Sequence, residues 1–142
     1  MKIAVPKEYH SGETRVPLIP DDVKALVRKG AEVEIESGMG EPIGYHDADY
    51  SATGASVTAE RKTLLSTADI ILRIRQSPLQ EIKWLKQGAL HISYFDPFNE
   101  KELLEAFVSQ GISAVSMEMI PRTTRAQSMD AVSYTHLTLP TN

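Results

Sequence analysis

The chain has 142 residues, of which 42% are hydrophobic and 24% charged, and its formal net charge is −4. This length suits one domain with a sizeable core, and the acidic balance argues against a nucleic-acid-binding protein, because no basic face is evident. The absence of cysteine excludes a disulfide framework, a thiol nucleophile and a cysteine-ligated metal, and no apolar run is long enough to cross a bilayer.

The first third of the chain predicts a strand, a loop, a helix and a second strand. Residues 2–5 form a short apolar β run, and a loop rich in charge and turn formers follows it. Asp21 and Asp22 predict the start of a helix, and Gly30 stands where a helix commonly ends. Residues 31–36 alternate apolar and acidic side chains, which predicts a half-buried strand.

The next segment predicts two short helices. Residues 38–44 form a glycine-punctuated loop that lacks the GxGxxG spacing of a nucleotide-binding turn. A helix is expected over residues 47–53, with Gly54 ending it. Thr58 is expected to cap a further helix, whose buried face carries Leu64 and Leu65.

The remaining chain continues the alternation of strands and helices. Residues 70–75, 89–95 and 112–117 predict strands, with helices starting at Pro78 and near Asn99. The expected buried stripe of the last helix contains Leu103, Leu104, Phe107 and Val108. We therefore expect an α/β fold with an open, mostly parallel Rossmann-like sheet flanked by helices. Ligands of such a sheet bind beyond the carboxyl ends of its strands.

Polar loops follow several of these strands and should share one edge of the sheet. Arg15 follows the first strand, Arg75 ends the central one, and Asp96 follows the next. Arg15 is open to two interpretations, either a surface ion pair with Glu13 or a clamp for a carboxylate or phosphate. Because Arg73 and Arg75 cannot both be comfortable in a core, at least one of them should reach the edge.

The loop over residues 121–133 is the richest in chemistry. It contains two guanidiniums, an amide, a carboxylate and four hydroxyls, and it looks ready to open a helix. Free N–H groups at a helix start favour an anion, and the alternative is a solvated loop with an N-cap. The four histidines show no metal-ligand spacing, and we expect His91 to be structural.

Four stretches together resemble a known family. They are residues 5–20, residues 30–38, residues 47–55 and the loop over residues 121–131. Over residues 1–133 the chain resembles the N-terminal part of the alpha subunit of proton-translocating NAD(P) transhydrogenase, which shares its fold with alanine dehydrogenase. The opening pattern is common to both families, whereas the RxxRAQSxD run is specific to the transhydrogenase side.

The resemblance implies that this loop holds the nicotinamide end of NAD(H) beside the NADP(H) of a partner domain. Arg122 would interact with the anionic and carboxamide groups of the cofactor, and Gln127 would reach towards the partner nucleotide. Asp130 and Ser133 would fix the nicotinamide amide and ribose. No acid–base catalytic residue is implied, because direct hydride transfer needs two rings held close and aligned.

The alternative is the N-terminal domain of an NAD-dependent alanine (amino-acid) dehydrogenase. That activity calls for Arg, Lys and His around a small amino or keto acid, with His for proton transfer. This chain has Arg15, but Arg75 and Asp96 stand at the comparable positions instead of Lys and His. Arg15 and Arg75 remain candidates for substrate binding.

The resemblance also implies an assembly. We expect a truncated first domain of a two-domain subunit, inactive alone, because the family's glycine-rich dinucleotide-binding half should follow. The expected partners are other transhydrogenase subunits or domains, including a membrane subunit, and a second copy in a homodimer. The location implied is the cytoplasmic side, peripheral to the inner membrane. Residues 134–142 look foreign to the family and are expected to be a non-native or disordered tail.

Overall fold

In the computed structural model, residues 1–120 are described, and they form one parallel sheet with helices on both faces. The strands are β1 (Lys2–Val5), β2 (Glu32–Glu36), β3 (Ser56–Thr58), β4 (Ile70–Arg75), β5 (Leu90–Tyr94) and β6 (Ser113–Ser116). The helices are α1 (Pro20–Arg28), α2 (Asp47–Ser51), α3 (Arg61–Thr67), α4 (Leu79–Ile82) and α5 (Lys101–Gln110). Short 3₁₀ turns cover Glu41–Ile43 and Met117–Met119. The predicted α/β open sheet is confirmed.

The strand order places a topological switch point near the middle of the sheet. The order is β3-β2-β1-β4-β5-β6. Ile3 of β1 lies opposite Val33 of β2 on one side and Ile70 of β4 on the other, and both pairings are parallel. The chain therefore adds β2 and then β3 on one side of β1, and adds β4, β5 and β6 in turn on its other side. In open α/β sheets the crevice at such a point, at the carboxyl ends, is where ligands bind.

Alternating side chains of β1 divide the core into two layers. Ala4 packs in a cluster with Leu64 of α3 and Phe107 of α5. Val5 packs on the opposite face, in a cluster with Val23 of α1. Both faces of β1 are therefore covered, which explains why its short sequence is almost continuously apolar.

One strand was not predicted. Ser56–Thr58 forms β3 and pairs in parallel with β2, with Val57 opposite Ile35. Thr58 is thus the last residue of an edge strand, and its hydroxyl accepts the N–H of Glu60 at 3.0 Å, while Glu60 is the N-cap of α3. A strand of three residues is too short for alternation to distinguish it from a loop.

Two helix starts also differ from their predictions. The N-cap of α1 is Ile19 rather than an aspartate, and the Asp22 carboxylate reaches back to the Ile19 N–H at 2.9 Å. The N-cap of α5 is Glu100, whereas Asn99 donates its side-chain amide to Asp96 at 2.7 Å. In both cases the polar side chain expected at the helix start bonds three residues back along the chain, Asp22 to Ile19 and Asn99 to Asp96.

The buried stripe of α5 is narrower than predicted. Leu103 and Phe107 are buried, but Val108 is 80% exposed. Positions 103 and 107 lie one turn apart on the same helix face, whereas position 108 is rotated by about 100° from 107. Val108 therefore points away from the sheet, and its apolar character is not explained by the core.

Within residues 1–120, no helix is both long and apolar enough to cross a membrane. The predicted cofactor-binding residues Arg122, Gln127, Asp130 and Ser133 lie outside the described residues, as does the predicted tail at residues 134–142.

Candidate functional site

A cavity of about 400 Å³ opens at the carboxyl edge of the sheet, beside the β1/β4 switch point. We call it the switch-point cavity. Its walls come from the loop after β1, from β4 and β5, and from the turn after β6. Residues on these walls include Arg15, Val16, Arg73, Ile92, Tyr94 and Met117. Its position agrees with the rule that ligands of parallel sheets bind at the carboxyl ends of the strands.

One carboxylate holds two of the predicted site residues together. Arg15 donates its Nε to Glu13 Oε1 at 2.9 Å and its Nη2 to Glu13 Oε2 at 3.0 Å. Arg75 donates its Nε to Glu13 Oε2 at 2.9 Å. The Glu13 side chain is only 3% exposed, whereas those of Arg15 and Arg75 are 46% and 49% exposed. The guanidiniums thus cover the carboxylate from solvent.

This arrangement keeps Glu13 ionised. The side-chain hydrogen bond from Arg15 lowers the pKa of Glu13 to about 2, against the opposing effect of burial, and Arg75 adds to the lowering. The same pairing raises the pKa of Arg15. Glu13 therefore stays ionised, and paired with both guanidiniums, well below the pH at which an ordinary glutamate takes up a proton.

Glu8 fixes the same two segments through their backbone. Its carboxylate accepts the N–H of Ile74 at 2.9 Å and that of Arg75 at 3.0 Å. The loop after β1 is thus bound to the end of β4 by Glu8 and Glu13 together. Because these loops form the crevice at the switch point, the two glutamates set its shape.

Arg73, two residues before Arg75 on β4, is buried inside the protein. Its side chain is 1% exposed, and its Nη1 donates to Ser77 Oγ at 3.1 Å and to Glu81 Oε1 at 3.0 Å. Burial lowers the pKa of Arg73, and the neighbouring Arg61 guanidinium adds to the effect. Its Nε is buried and finds no hydrogen-bond partner among residues 1–120.

Arg61 connects this buried arginine to the other half of the sheet. It pairs with Glu81 at 3.0 Å and with Glu36 at 2.5 Å, and its Nη1 also donates to the Lys7 carbonyl at 3.0 Å. The Tyr9 ring covers its guanidinium, with Cζ 4.7 Å from the ring centroid. Arg61 therefore joins the ends of β1 and β2 to α3 and α4.

His91 of β5 is a core residue. Its Nε2 lies 2.7 Å from Ser77 Oγ, and its ring packs against Phe107 with centroids 4.9 Å apart. Burial, with a smaller contribution from the Arg73 charge, lowers the pKa of His91 to about 3. The imidazole is therefore neutral at physiological pH, in agreement with the predicted structural role.

The structure brings Arg15 and Arg75 together but keeps Asp96 in a turn of its own. Asp96 adopts a positive φ of 47° and accepts the Asn99 side-chain amide, while its N–H donates to Glu118 at 3.2 Å. As predicted, one of the two β4 arginines is buried and the other, Arg75, reaches the edge.

Sequence reasoning missed Arg61, Glu36 and Glu81, which complete the buried network. Arg61 is 25 residues from Glu36 and 20 from Glu81 along the chain, so no local pattern connects them. The only available signal was Arg73 itself, because a buried guanidinium requires a buried carboxylate nearby. Among residues 1–120, no group of three or more His, Asp or Glu side chains could hold a metal ion.

The chain matches the family model described as alanine dehydrogenase/PNT, N-terminal domain, over residues 4–137. It is 39% identical over 133 residues to NAD(P) transhydrogenase subunit alpha of Cereibacter sphaeroides, covering 94% of this chain and 25% of that protein. It is 33% identical over 120 residues to alanine dehydrogenase of Halomonas elongata, covering 84% of this chain and 32% of that protein.

Solved structures show the same order of similarity. The crystal structure of transhydrogenase from Sinorhizobium meliloti superposes with a TM-score of 0.88 at 35% identity, covering 94% of this chain and 40% of that one. An L-alanine dehydrogenase superposes with a TM-score of 0.82 at 28% identity, covering 89% of this chain and 34% of that one. The chain thus spans between a quarter and two fifths of the length of these relatives.

Proposed function

The chain belongs to the alanine dehydrogenase/PNT N-terminal domain family, and we propose that it is the first domain of the NAD(H)-binding subunit of a proton-translocating transhydrogenase. In this proposal the whole protein transfers hydride between NAD(H) and NADP(H), with NADP(H) on a partner domain. The observation that carries the proposal is the 39% identity to a transhydrogenase alpha subunit across 94% of the chain. Alanine dehydrogenases are less similar and cover less of the chain.

The chemistry of the switch-point cavity supports the same reaction. Its arginines are paired with glutamates, and the nearby histidine is buried and neutral. This set of side chains forms a rigid polar platform rather than a proton-transfer relay. Direct hydride transfer needs two rings held close and aligned, so a rigid platform is what the reaction requires from this domain.

In this proposal the loop after β6 supplies the cofactor contacts. Arg122 interacts with the anionic and carboxamide groups of NAD(H), and Gln127 reaches towards the partner nucleotide. Asp130 and Ser133 hold the nicotinamide amide and ribose. Support comes from the turn before this loop, because Met117 lies on the wall of the switch-point cavity.

The proposal extends to the assembly. Residues 1–133 form the domain, residues 134–142 are a non-native or disordered tail, and the 142-residue chain is inactive without the rest of the subunit. The subunit forms a homodimer and associates with a membrane subunit on the cytoplasmic side of the inner membrane. The chain spans 25% of the length of the transhydrogenase alpha subunit and 40% of the solved transhydrogenase chain.

The second candidate is an NAD-dependent alanine (amino-acid) dehydrogenase. One observation favours it, since Arg15 and Arg75 converge on a single carboxylate, as a clamp for an amino or keto acid would. That carboxylate belongs to Glu13, and Asp96 stands where proton transfer by histidine would be required. The second candidate therefore lacks the histidine that would transfer the proton, because Asp96 occupies that position.

Paired variants of the full-length subunit, expressed from the source locus with its partner subunits, test the proposed contacts. Arg122→Ala and Asp130→Asn should each reduce the rate of hydride transfer between the two nucleotides at least about tenfold, because alignment of the rings is lost. Arg28→Ala and Asp49→Asn, at exposed positions, are the matched controls and should leave the rate unchanged. Equal rates in all four variants would overturn the proposed roles.

A further inference from the structure

We propose that Glu118 is a positioning residue for the loop over residues 121–133, and that it fixes where this loop leaves the sheet relative to the turn after β5. The inference deepens the proposed function and rests on it, since it takes this loop to align the nicotinamide for hydride transfer. Glu118 acts through the backbone and not by contact with the cofactor. Three features carry the inference, namely the hydrogen bonds that Glu118 accepts, the turn that it holds and the backbone that follows it.

One carboxylate oxygen of Glu118 joins the ends of β5 and β6. Glu118 Oε1 accepts the backbone N–H of Asp96 at 3.2 Å and the hydroxyl of Ser116 at 3.1 Å. Asp96 follows β5, Ser116 ends β6, and the two strands are parallel neighbours. Both contacts therefore lie at the carboxyl edge of the sheet, where Tyr94 and Met117 contribute to the wall of the switch-point cavity. A loop that starts from this anchor starts at the edge where ligands of parallel sheets bind.

The turn after β5 is tied to β6 through this contact. Asp96 is the only residue other than glycine with a positive φ among residues 1–120, at 47°. Its carboxylate accepts the Asn99 side-chain amide at 2.7 Å, and its carbonyl accepts the N–H groups of Asn99 and Glu100 at 3.1 Å each. Those bonds stay inside the turn, whereas the bond from the Asp96 N–H to Glu118 leaves it. A rare backbone conformation persists where the surrounding structure fixes it, as these bonds do for Asp96.

The backbone after Glu118 passes its position on to the loop. Met117–Met119 form a 3₁₀ turn, and Ile120 is extended, with φ −64° and ψ 126°. A residue before proline is restricted to extended conformations, and the proline ring fixes φ at Pro121. Few backbone angles can therefore vary between Glu118 and Arg122. The position of Glu118 thus limits where the Arg122 backbone can lie.

Both hydrogen bonds end on the same oxygen, and this makes substitutions of Glu118 diagnostic. Glu118→Gln keeps an acceptor oxygen at the same reach, so it should preserve both contacts. Glu118→Asp keeps the charge but is one methylene shorter, and Glu118→Ala removes the acceptor. A positioning role predicts that the Gln variant behaves as the wild type and that the Asp variant does not. A role of the negative charge itself predicts the reverse.

The contact is tested in the 142-residue chain by hydrogen exchange of the Asp96 amide, followed by ¹⁵N NMR. Exchange should be at least about tenfold faster in Glu118→Ala and Glu118→Asp than in the wild type and Glu118→Gln, because the N–H has lost its acceptor. Glu105→Ala, at an exposed position of α5, is the control and should exchange as the wild type does. Equal exchange in Glu118→Ala and the wild type would overturn the contact on which the proposal rests.

The positioning role is tested by hydride transfer in the full-length subunit with its partner subunits. Glu118→Ala and Glu118→Asp should lower kcat at least about tenfold and leave the KM for each nucleotide within about twofold, because the rings are misaligned while most nucleotide contacts remain. Glu118→Gln and Glu105→Ala should keep wild-type values of both. A residue that only stabilises the fold would lower the midpoint of unfolding and leave kcat of the folded enzyme unchanged.

The outcomes separate a failure of this inference from a failure of the proposed function. If the wild type transfers hydride between the nucleotides and both Glu118→Ala and Glu118→Asp do so at the same rate, the positioning role is wrong and the proposed function stands. A loss of kcat in Glu118→Gln as large as that in Glu118→Ala would also contradict the inference, because it would assign the effect to the charge. If the wild type itself transfers no hydride between the nucleotides, the proposed function is wrong and this inference fails with it.

Discussion

The guanidinium of Arg75 donates its Nε–H to the carboxylate of Glu13 at 2.9 Å, across 62 residues of sequence. Glu13 lies in the loop after β1 and Arg75 ends β4, and these strands adjoin at the switch point of the sheet. This one contact therefore ties together the two segments between which a ligand would bind. The sequence left Arg15 open to two interpretations, a surface ion pair with Glu13 or an anion clamp, and the structure shows the ion pair, with Arg75 sharing the same covered carboxylate.

Replacing Glu13 should destabilise the domain. Glu13→Gln leaves the guanidiniums of Arg15 and Arg75 without their carboxylate, and the loss should be about 1–3 kcal/mol in the free energy of unfolding at pH 7. Urea denaturation measures it, with the exposed Glu105→Gln as the control. A loss no larger than that of the control would show that the triad contributes nothing to stability.

Glu13 also predicts a pH dependence. Its pKa falls from the ordinary 4.5 to about 2 in the folded protein, so the unfolded chain binds the proton more readily. The stabilisation is therefore present above pH 4.5 and is lost as the pH falls towards 2. Stability of Glu13→Gln should decline less steeply over this window than that of the wild type, and parallel declines would contradict the assignment.

His91 predicts a second window at higher pH. Its pKa falls from 6.5 to about 3 on folding, so between these values the unfolded chain binds one more proton than the folded one. Stability should drop as the pH falls from 6.5, by up to about 1.4 kcal/mol per pH unit. His91→Gln should reduce that slope between pH 6.5 and 5. An unchanged slope in His91→Gln would mean that another group controls it.

Removing Arg61 should be more damaging than removing any exposed arginine. Arg61→Ala leaves Glu36 and Glu81 largely buried without their shared partner, which should reduce stability by about 3–5 kcal/mol. Arg28→Ala, on the exposed end of α1, should change it by less than about 0.5 kcal/mol. Chemical denaturation measures the free energy of unfolding of both variants. Similar losses would show that the buried network does not contribute to stability.

The 142-residue chain should bind NADH poorly. In the proposal, most of the dinucleotide contacts come from parts of the subunit outside these 142 residues, and the switch-point cavity of about 400 Å³ is too small for a whole dinucleotide. Calorimetric titration should therefore show no binding in the micromolar range. Micromolar affinity would mean that residues 1–142 contain a complete nucleotide site, and the division of labour proposed between the two halves would be wrong.

The sequence was most informative where periodicity decides the structure. The long apolar run of β4 predicted a central strand and the alternating run of β2 predicted a half-buried one, and the alternation of strands with helices predicted a parallel sheet. From that sheet followed the expectation that Arg15 and Arg75 share an edge, which the structure shows. β3 was not predicted, because a strand of three residues is too short to show a periodic pattern of apolar side chains.

The buried network was beyond sequence reasoning for a different reason. Glu81 lies in a four-residue helix whose sequence gives no sign of burial. Its carboxylate nevertheless accepts hydrogen bonds from both Arg61 and Arg73. Its role depends on strands and helices that meet only when the sheet is assembled. Arg73 indicated that a carboxylate must lie nearby, because a cation in an apolar strand needs a compensating charge. It did not indicate which carboxylate that would be.

The central claim is tested most directly by the substrate preference of the full-length protein. Reduction of an NAD analogue by NADPH, with partner subunits present, is compared with reduction of NAD by alanine under the same conditions. The account predicts ready transfer between the nucleotides and no alanine-dependent reduction above background. Alanine-dependent reduction without nucleotide-to-nucleotide transfer would contradict it and would establish the amino-acid dehydrogenase instead.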